Sequence, residues 1–368
     1  MARSTRSHRA ALTAVLVLSS LAWPVGGAVA EDGDGQMAQL PFLTGVNLAS
    51  PSFGPAITKG GPRGRHGREY TYPIARYTPG YRSHGYFLSK GMNTFRLPVL
   101  WERLQPKLDG GFNPFELRRL RDTVRTLTGL GAYVALDVHN YARYEGQLIG
   151  TADVPVARFA ELWASLATEF KDDEHVFFNI MNEPHGIDAH AWTEIAQAAI
   201  TAIRETGARN LLLVPGINFS GASHWNDDGN GERLLTLRDP VGNMAFDAHT
   251  YLNARGTGLD EDCVDEQVGV ERLKPFVDWL KQNDKRGFIG EFGAGRGSVC
   301  LAALENMARY MQSSRDVLLG WAYWAAGPWW PADYFTSVEP RPDGSDAPQL
   351  SALLPFIGGA EAASGPSP

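Results

Sequence analysis

Eight short apolar segments recur along this chain at intervals of roughly 30–50 residues, and this spacing limits the possible folds more than any other feature. Each segment has the length and apolar content of a buried strand, and the intervals leave room for a helix between neighbours. We therefore interpret as strands residues 42–49, 93–99, 133–140, 176–183, 211–216, 244–252, 287–293 and 318–325.

Amphipathic helical patterns lie between several of these segments. One follows Pro155, a second is closed by Gly207, and a third follows Asn113 and Pro114. In each pattern, apolar residues recur with the spacing of one helix face. Strands that alternate with helices predict an α/β protein, and eight such units predict a single (β/α)8 TIM barrel. An open doubly wound sheet is the alternative, but no Gly-x-Gly-x-x-Gly follows the first segment.

The two ends of the chain differ in composition from the rest. Residues 1–30 combine an arginine-containing head, an apolar run and an Ala-x-Ala sequence that ends at Ala30. This pattern predicts a secretory signal peptide that is cleaved after Ala30; a membrane anchor is the alternative, but the run is too short to span a bilayer. We assign residues 31–357 to the barrel and expect residues 358–368 to form a disordered tail.

The charge balance disfavours several classes of partner. The chain has 34 basic and 41 acidic side chains, so its net charge is −7, and cleavage after Ala30 would remove three arginines to leave −10. An acidic surface disfavours nucleic acid and anionic membranes and is compatible with a neutral substrate. We expect an exported monomer, extracellular or periplasmic, that binds neither nucleic acid nor a membrane.

The chain contains two cysteines, Cys263 and Cys300. In an exported protein an isolated pair predicts one disulfide, with two free buried thiols as the alternative. No histidine or further cysteine lies near either position at the spacing of a zinc site, so we expect no metal and no cofactor.

The most informative local stretch is residues 177–186, where a buried-strand pattern runs directly into Asn182-Glu183-Pro184. Because proline ends the strand, an amide and a carboxylate lie at its rim. An ordinary polar turn is the alternative. In a TIM barrel, however, the active site lies at the carboxyl ends of the strands, which favours a functional role.

Polar or reactive side chains lie within or at the end of every predicted strand except the fifth. They are Asn47, Arg96, His139, Asn140, Asn182, Glu183, His249, Tyr251, Glu291 and Trp324. A barrel brings strand ends to one mouth, and charges buried there require partners, so convergence indicates a site. Each of these residues also has a structural alternative. Arg96 could be a structural ion-pair partner, His139 and His249 could be core histidines, and Trp324 could pack the barrel.

Glu183 and Glu291, at the ends of the fourth and seventh strands, suit a reaction that needs two carboxylates. Glycoside hydrolysis is the leading example. One carboxyl must be protonated to assist the leaving oxygen and the other ionised to attack the anomeric carbon, so their pKa values must differ. Arg96 is the candidate to keep one of them ionised, and Asn182 can hydrogen-bond a sugar hydroxyl.

Tryptophans close to the predicted strand ends support a sugar substrate. Trp324 and Trp329 lie at and beyond the end of the eighth strand, and Trp225 follows the fifth. Flat aromatic side chains with a polar atom suit the apolar faces of pyranose rings.

Across residues 42–338 the sequence resembles glycoside hydrolase family 5, and within it the fungal-like endo-β-1,4-glucanase (cellulase) subfamily. The tripeptide Asn182-Glu183-Pro184 is shared with related barrel families, whereas the ordered set of motifs is specific. The motifs are GVNLASPSFG (45–54), HGREYTYP (66–73), NTFRLPVLWERLQP (93–106), DVHNYARY (137–144), NIMNEP (179–184), DAHTYLNARGTG (247–258), GFIGEFGAGRGSVC (287–300) and WAYWAAGPWWPADYFTSVEP (321–340).

The resemblance implies a role for each residue of the reacting pair and its neighbours. Glu183 looks like the acid/base and Glu291 like the nucleophile. Arg96 looks like the arginine that hydrogen-bonds near the nucleophile, Tyr251 like the tyrosine beside it, and His249 like the histidine that positions the acid/base.

The same resemblance implies how the sugar is held. Asn182 looks like the partner of the sugar 2-hydroxyl, His139 like a contact in the −1 subsite and Trp324 like its stacking platform. Trp329 and Trp225 are expected to line flanking subsites. The pair Cys263 and Cys300 looks like a disulfide of this subfamily.

We therefore expect a secreted, metal-independent, retaining endo-β-1,4-glucanase that acts on cellulose or soluble β-glucan. The nearest rival is the same machinery acting on mannan, xyloglucan or mixed-linkage glucan, because the loops that set specificity cannot be placed from sequence. A non-catalytic sugar-binding barrel is disfavoured by the intact pair Glu183 and Glu291. Transglycosylation is a third possibility. It differs from hydrolysis only in the acceptor that replaces water, and the sequence does not distinguish the two reactions.

Overall fold

The computed structural model describes residues 40–49, 83–327, 330 and 333–358. The expected signal peptide, the motif HGREYTYP at 66–73, Trp329 and the tail beyond Gly358 lie outside these residues. In chain order the elements are β1 (Leu43–Leu48), α1 (Ser83–Ser89), β2 (Thr94–Val99), α2 (Trp101–Leu104), α3 (Pro114–Thr128), β3 (Tyr133–Val138), β4 (Arg143–Tyr144), β5 (Gln147–Leu148), α4 (Val156–Phe170), β6 (Val176–Asn179), α5 (Ala189–Glu205), β7 (Leu212–Pro215), α6 (Asn230–Leu234), β8 (Met244–Tyr251), α7 (Val268–Gln282), β9 (Gly287–Gly293), α8 (Ser298–Ser313), β10 (Leu318–Ala326) and α9 (Pro348–Leu353).

Eight of the strands form a closed parallel barrel. Neighbours follow the order β1, β10, β9, β8, β7, β6, β3 and β2, and β2 pairs with β1 to close the sheet. The strands β4 and β5 form a separate antiparallel hairpin after β3, which the sequence pattern did not predict. The predicted α/β class and single (β/α)8 TIM barrel are confirmed.

The helices that connect the strands begin and end where local side chains favour it. Asn113 accepts a hydrogen bond from the backbone N–H of Phe115 and so caps α3, whose first residue is Pro114. Gly207, with φ of +85°, follows α5 and donates its N–H to the carbonyl of Arg204. Among the described residues no helix is long and apolar enough to cross a membrane.

Apolar side chains pack in two layers around the barrel sheet. The inner layer fills the barrel and contains Leu43, Ala135, Phe177, Leu211, Leu213, Ala245, Phe288, Leu319 and Ala322. The outer layer lies between strands and helices, and α4 contributes its predicted face of Phe159, Leu162, Trp163, Leu166 and Phe170. Because both faces of the sheet are covered, most residues of its strands are apolar.

The fourth barrel strand is shorter than predicted. It ends at Asn179, so Asn182 and Glu183 stand on the turn that follows it. Glu183 has a φ of 43°, which belongs to the left-handed region and cannot continue a strand. The turn nevertheless stays attached to the barrel, because the N–H of Asn182 donates to the carbonyl of Val138 at 2.8 Å.

A disulfide joins Cys263, in the loop after β8, to Cys300 in α8. The two Cα atoms are 5.2 Å apart, and the bridge closes a loop with a sequence separation of 37 residues. Cross-linking a loop of this length reduces the entropy of the unfolded chain.

We expect the double substitution Cys263→Ser, Cys300→Ser to lower the free energy of unfolding by about 3 kcal/mol, because the unfolded chain regains the freedom that the bridge removes. Urea unfolding of the variant and of the wild type measures the difference. Reduced wild type is the control and should unfold at the same urea concentration as the variant. An unchanged midpoint in the variant contradicts this account.

Candidate active site

Two glutamates face each other at the mouth of the barrel. Glu183 follows β6, and Glu291 lies in β9, three strands further round the barrel, with β7 and β8 between them. One carboxylate oxygen of each lies within 4.8 Å of the other, and a ring nitrogen of His249 lies within that distance of both. The side chain of Glu183 is 15% exposed and that of Glu291 is 4% exposed. The two carboxylates therefore share one site but differ in access to water.

Arg96, in β2, is fully buried and contacts four polar neighbours. Its Nη1 donates to Oε1 of Glu291 at 2.7 Å and to Oδ1 of Asn47 at 2.8 Å. Its Nη2 donates to Oδ1 of Asn182 at 2.7 Å and lies 3.1 Å from Oδ1 of Asp137. Burial by itself lowers the pKa of Arg96, but the charges of Asp137 and Glu291 outweigh it and raise the pKa. The guanidinium therefore remains charged beside Glu291.

Tyr251 holds the other oxygen of Glu291. Its hydroxyl donates to Oε2 of Glu291 at 2.8 Å, while Arg96 binds Oε1. Burial, followed by the charge of Glu291, raises the pKa of Tyr251 well above its ordinary value. The phenol thus stays protonated and remains a donor, so both oxygens of Glu291 are hydrogen-bonded in its ionised form.

His249 lies between Glu183 and a second buried carboxylate. Its Nδ1 is 2.9 Å from Oε1 of Glu183 and 3.7 Å from Oε2 of Glu291, and its Nε2 is 3.3 Å from Oδ2 of Asp247. Burial by itself lowers the pKa of His249, but the charges of Glu291 and Asp247 and the hydrogen bonds to Asp247 and Glu183 raise it to about 10. The ring is therefore an imidazolium at neutral pH.

Asp247 supports His249 from beneath the mouth. Its Oδ2 accepts a hydrogen bond from Nδ2 of Asn179 at 2.7 Å. A Cβ at position 290 would lie 2.3 Å from Oδ1 of Asp247, so Gly290 leaves the space that this carboxylate occupies. Asp247 is completely buried, so it supports His249 without facing the open site.

His139 and Trp324 form the opposite wall of the site. Nδ1 of His139 is 2.8 Å from Oδ2 of Asp137, and the His139 and Trp324 rings stack with centroids 5.7 Å apart and an angle of 11°. The indole Nε1 of Trp324 donates to the hydroxyl of Tyr334 at 3.3 Å. Trp324 is followed by a cis peptide bond. The predicted strand-end residues of strands three and eight thus reach the same wall.

The structure corrects the expectation for Trp225. Its side chain is 1% exposed and packs against Phe246, Phe276 and Trp279, so it belongs to the layer between the barrel and α7. A ring buried on all sides offers no face to a sugar. Proximity to a strand end in sequence did not reveal which way this residue points.

Aromatic residues that the sequence prediction missed also lie near the mouth. The hydroxyl of Tyr141 is 3.4 Å from Nε2 of His139. Phe219 is 51% exposed and stacks on His185 with ring centroids 4.1 Å apart. The signal that could have found Tyr141 and His185 is their position, since each lies two residues beyond a predicted site residue, His139 or Glu183.

The described part of the chain contains one group of side chains close enough to share a metal ion, and it is the active site itself. Glu183, His249 and Glu291 each offer one atom within 4.8 Å of the others.

A TIM barrel with two facing glutamates at its mouth is the architecture of a glycoside hydrolase. The family model "Cellulase (glycosyl hydrolase family 5)" matches residues 85–327. The chain belongs to glycosyl hydrolase family 5 and is a glycoside hydrolase.

Individual relatives match most of the chain. It is 37% identical over 314 residues to endo-beta-1,4-glucanase B of Emericella nidulans, a match that covers 85% of this chain and 90% of the relative. Among solved structures, XacCel5A in complex with cellopentaose is 44% identical, with a TM-score of 0.80 and coverage of 86% and 99%. Endo-beta-1,4-glucanase Xac0029 of Xanthomonas axonopodis pv. citri is 42% identical, with a TM-score of 0.78 and coverage of 86% and 98%.

The raised pKa of His249 predicts a pH dependence of stability. Protonated His249 stabilises the fold fully below its unfolded pKa near 6.5, and this contribution is lost as the pH rises towards about 10. Wild type should therefore lose stability between pH 6.5 and 10, by at most about 1.4 kcal/mol per pH unit for one proton, relative to His249→Asn. Urea unfolding of both proteins across this range measures the difference. Parallel curves would show that His249 does not hold the extra proton.

Proposed function

We propose that this protein is a secreted endo-β-1,4-glucanase that hydrolyses internal bonds of cellulose or soluble β-glucan with retention of configuration. The observation that carries the proposal is the closeness of Glu183 and Glu291, whose nearest described oxygens are within 4.8 Å. Retaining enzymes need carboxyl groups about 5–5.5 Å apart, whereas inverting enzymes leave room for a water molecule between them.

The surroundings of Glu291 suit the nucleophile. A nucleophilic carboxylate must be ionised, and here Arg96 supplies a buried positive charge at Oε1 while Tyr251 donates to Oε2. In the first step Glu291 attacks the anomeric carbon and forms a glycosyl-enzyme. As that bond forms, the negative charge on Glu291 is consumed, and Arg96 remains paired with Asp137.

The surroundings of Glu183 suit the acid/base. It is the more exposed of the two carboxyls, so it can reach both a leaving glycosidic oxygen and an incoming water. It protonates the leaving oxygen in the first step and, as a carboxylate, takes a proton from water in the second. The ring of His249, 2.9 Å from Oε1, orients it for both steps.

Asn182 offers a donor for a sugar hydroxyl. Arg96 holds Oδ1 of its amide, and Nδ2 is buried with no hydrogen-bond partner among the described residues. A buried donor without a partner is costly, and a ligand hydroxyl at this point removes that cost. The adjacent Glu183 places this donor at the reacting sugar, which supports a role with the 2-hydroxyl. The ring of Trp324 supplies a platform on the opposite wall.

The choice of β-1,4-glucan rests on the relatives. The Emericella nidulans relative is named an endo-beta-1,4-glucanase, and the XacCel5A structure contains cellopentaose, a cello-oligosaccharide. Mannan, xyloglucan and mixed-linkage glucan remain the alternatives, since the same carboxylates serve them. Export is supported by the signal-peptide pattern of residues 1–30, with cleavage after Ala30.

The first test is the release of reducing sugar from carboxymethylcellulose by wild type and by Glu291→Ala. Wild type should be active, and the variant should lose roughly four orders of magnitude or more because no glycosyl-enzyme can form. Arg158→Met, on the exposed face of α4, is the control and should match wild type. Activity that survives in Glu291→Ala refutes the nucleophile assignment. If the wild type does not hydrolyse carboxymethylcellulose but hydrolyses mannan or xyloglucan, the mechanism stands and the proposed substrate is wrong.

The stereochemical course is a second test. Proton NMR during hydrolysis of cellotetraose should show the β-anomer of the new reducing end first, followed by slow mutarotation to the α-anomer. That order follows from two displacements at one carbon. Initial appearance of the α-anomer would mean inversion and would exclude a glycosyl-enzyme on Glu291.

A further inference from the structure

We infer that Arg143 is a positioning residue for Glu183, and that it acts by holding the backbone of the turn that carries this glutamate. The inference rests on the proposed acid/base role of Glu183. Arg143 begins the β4–β5 hairpin and does not touch the Glu183 carboxylate in any described contact. Its effect on the reaction would therefore pass through the backbone.

The turn at residues 182–185 has a hydrogen-bond donor for every carbonyl, and each donor comes from a different residue. The carbonyls of Asn182 and Pro184 accept from the backbone N–H groups of Tyr141, at 3.0 Å, and Phe219, at 3.1 Å. The carbonyl of Glu183 accepts from Nδ1 of His185 at 3.1 Å.

The remaining carbonyl, that of His185, is bound by Arg143. Its Nη1 donates to the His185 carbonyl at 3.1 Å and to the Tyr141 carbonyl at 2.6 Å. One guanidinium nitrogen thus joins the loop after β3 to the turn after β6. Gly186, with φ of +64°, leaves space for the same group, because a Cβ there would lie 3.1 Å from Nη2.

Arg143 is not engaged as an ion-pair partner in the described part of the chain. No carboxylate there lies within salt-bridge distance of it, and burial alone lowers its pKa. An arginine that is partly removed from water without a counter-ion is not explained by charge pairing. Its partners are instead the backbone carbonyls of Tyr141 and His185, which both accept from Nη1.

The two loops that Arg143 joins are both conformationally strained. Glu183 has φ of 43°, and Tyr141 and Ala142 have φ of 55° and 59°. Non-glycine residues adopt this region at a cost and remain there only when neighbouring groups hold them. Without Arg143, the carbonyls of Tyr141 and His185 lose their shared donor, and the turn can relax towards ordinary φ values. Such a change would move the Glu183 carboxyl away from His249 and from the leaving oxygen.

This role predicts a defect that depends on the leaving group. Departure of a poor leaving group needs a proton from Glu183, whereas a dinitrophenolate leaves without one. We therefore expect Arg143→Met to lower kcat/KM for phenyl β-cellobioside by roughly tenfold or more, and for 2,4-dinitrophenyl β-cellobioside by less than about threefold. The value of kcat/KM reports only the steps through glycosylation, so the later base role of Glu183 does not enter.

Three further variants make the test specific. Glu183→Gln should show the same dependence on the leaving group, with a larger difference in kcat/KM between the two substrates. Arg272→Lys is the matched control, because Arg272 binds the carbonyls of Asn253 and Ala254 next to Tyr251 on the nucleophile side. Any loss it causes should be similar for both substrates. Arg143→Lys keeps a charged donor on a side chain that is one bond shorter, so we expect the same dependence on the leaving group as for Arg143→Met but a smaller loss of activity.

The outcomes separate the inference from the function on which it rests. If Glu183→Gln shows no dependence on the leaving group, the acid/base assignment itself fails. If Glu183→Gln shows this dependence and Arg143→Met loses the same fraction of activity on both substrates, Arg143 does not act through Glu183. The same conclusion follows if Arg143→Met loses activity on neither substrate. Circular dichroism and the thermal midpoint verify that each variant is folded, and if Arg143→Met does not fold, the same comparison on Arg143→Lys decides the matter.

Discussion

The buried guanidinium of Arg96 is the interaction on which the active site depends. From β2 it contacts Asn47 in β1, Asp137 in β3, Asn182 after β6 and Glu291 in β9. A charge taken fully out of water is costly unless it is paired and hydrogen-bonded, so these neighbours are not interchangeable. One side chain thus holds the carboxylate of Glu291, orients the amide of Asn182 and joins the mouth of the barrel across several strands.

The two glutamates at the mouth have different surroundings. Glu291 lies within a strand and accepts a hydrogen bond at each carboxylate oxygen, from Arg96 and from Tyr251. Glu183 stands on a strained turn, is partly exposed, and lies 2.9 Å from Nδ1 of His249, which orients it. Differences in environment of this kind separate the roles of two identical side chains. Outside the turn itself, the donors to its carbonyls come from the segment after β3, which includes Arg143, and from the loop after β7.

Much of the fold and the core of the site could be predicted from local pattern. The apolar face of α4 and the cap at Asn113 each depend on residues a few positions apart, so the sequence displays them directly. Glu183 and Glu291 could be placed at one mouth because a closed parallel barrel brings all its strand ends together. The hairpin β4–β5 was missed, since its two-residue strands carry no periodic signal.

The sequence by itself determined the βα repeat, the barrel and the identity of the two carboxylates, because apolar periodicity and strand-end position are local properties. The tertiary structure alone decided which aromatic rings meet the mouth. Trp225 follows a strand end and is buried against α7, whereas Phe219, a few residues earlier in the same loop, is exposed. The direction of a loop side chain depends on which distant elements pack beside it, and the periodicity of the sequence does not show those contacts. For the same reason, only the folded chain could bring Arg143 to the turn of Glu183.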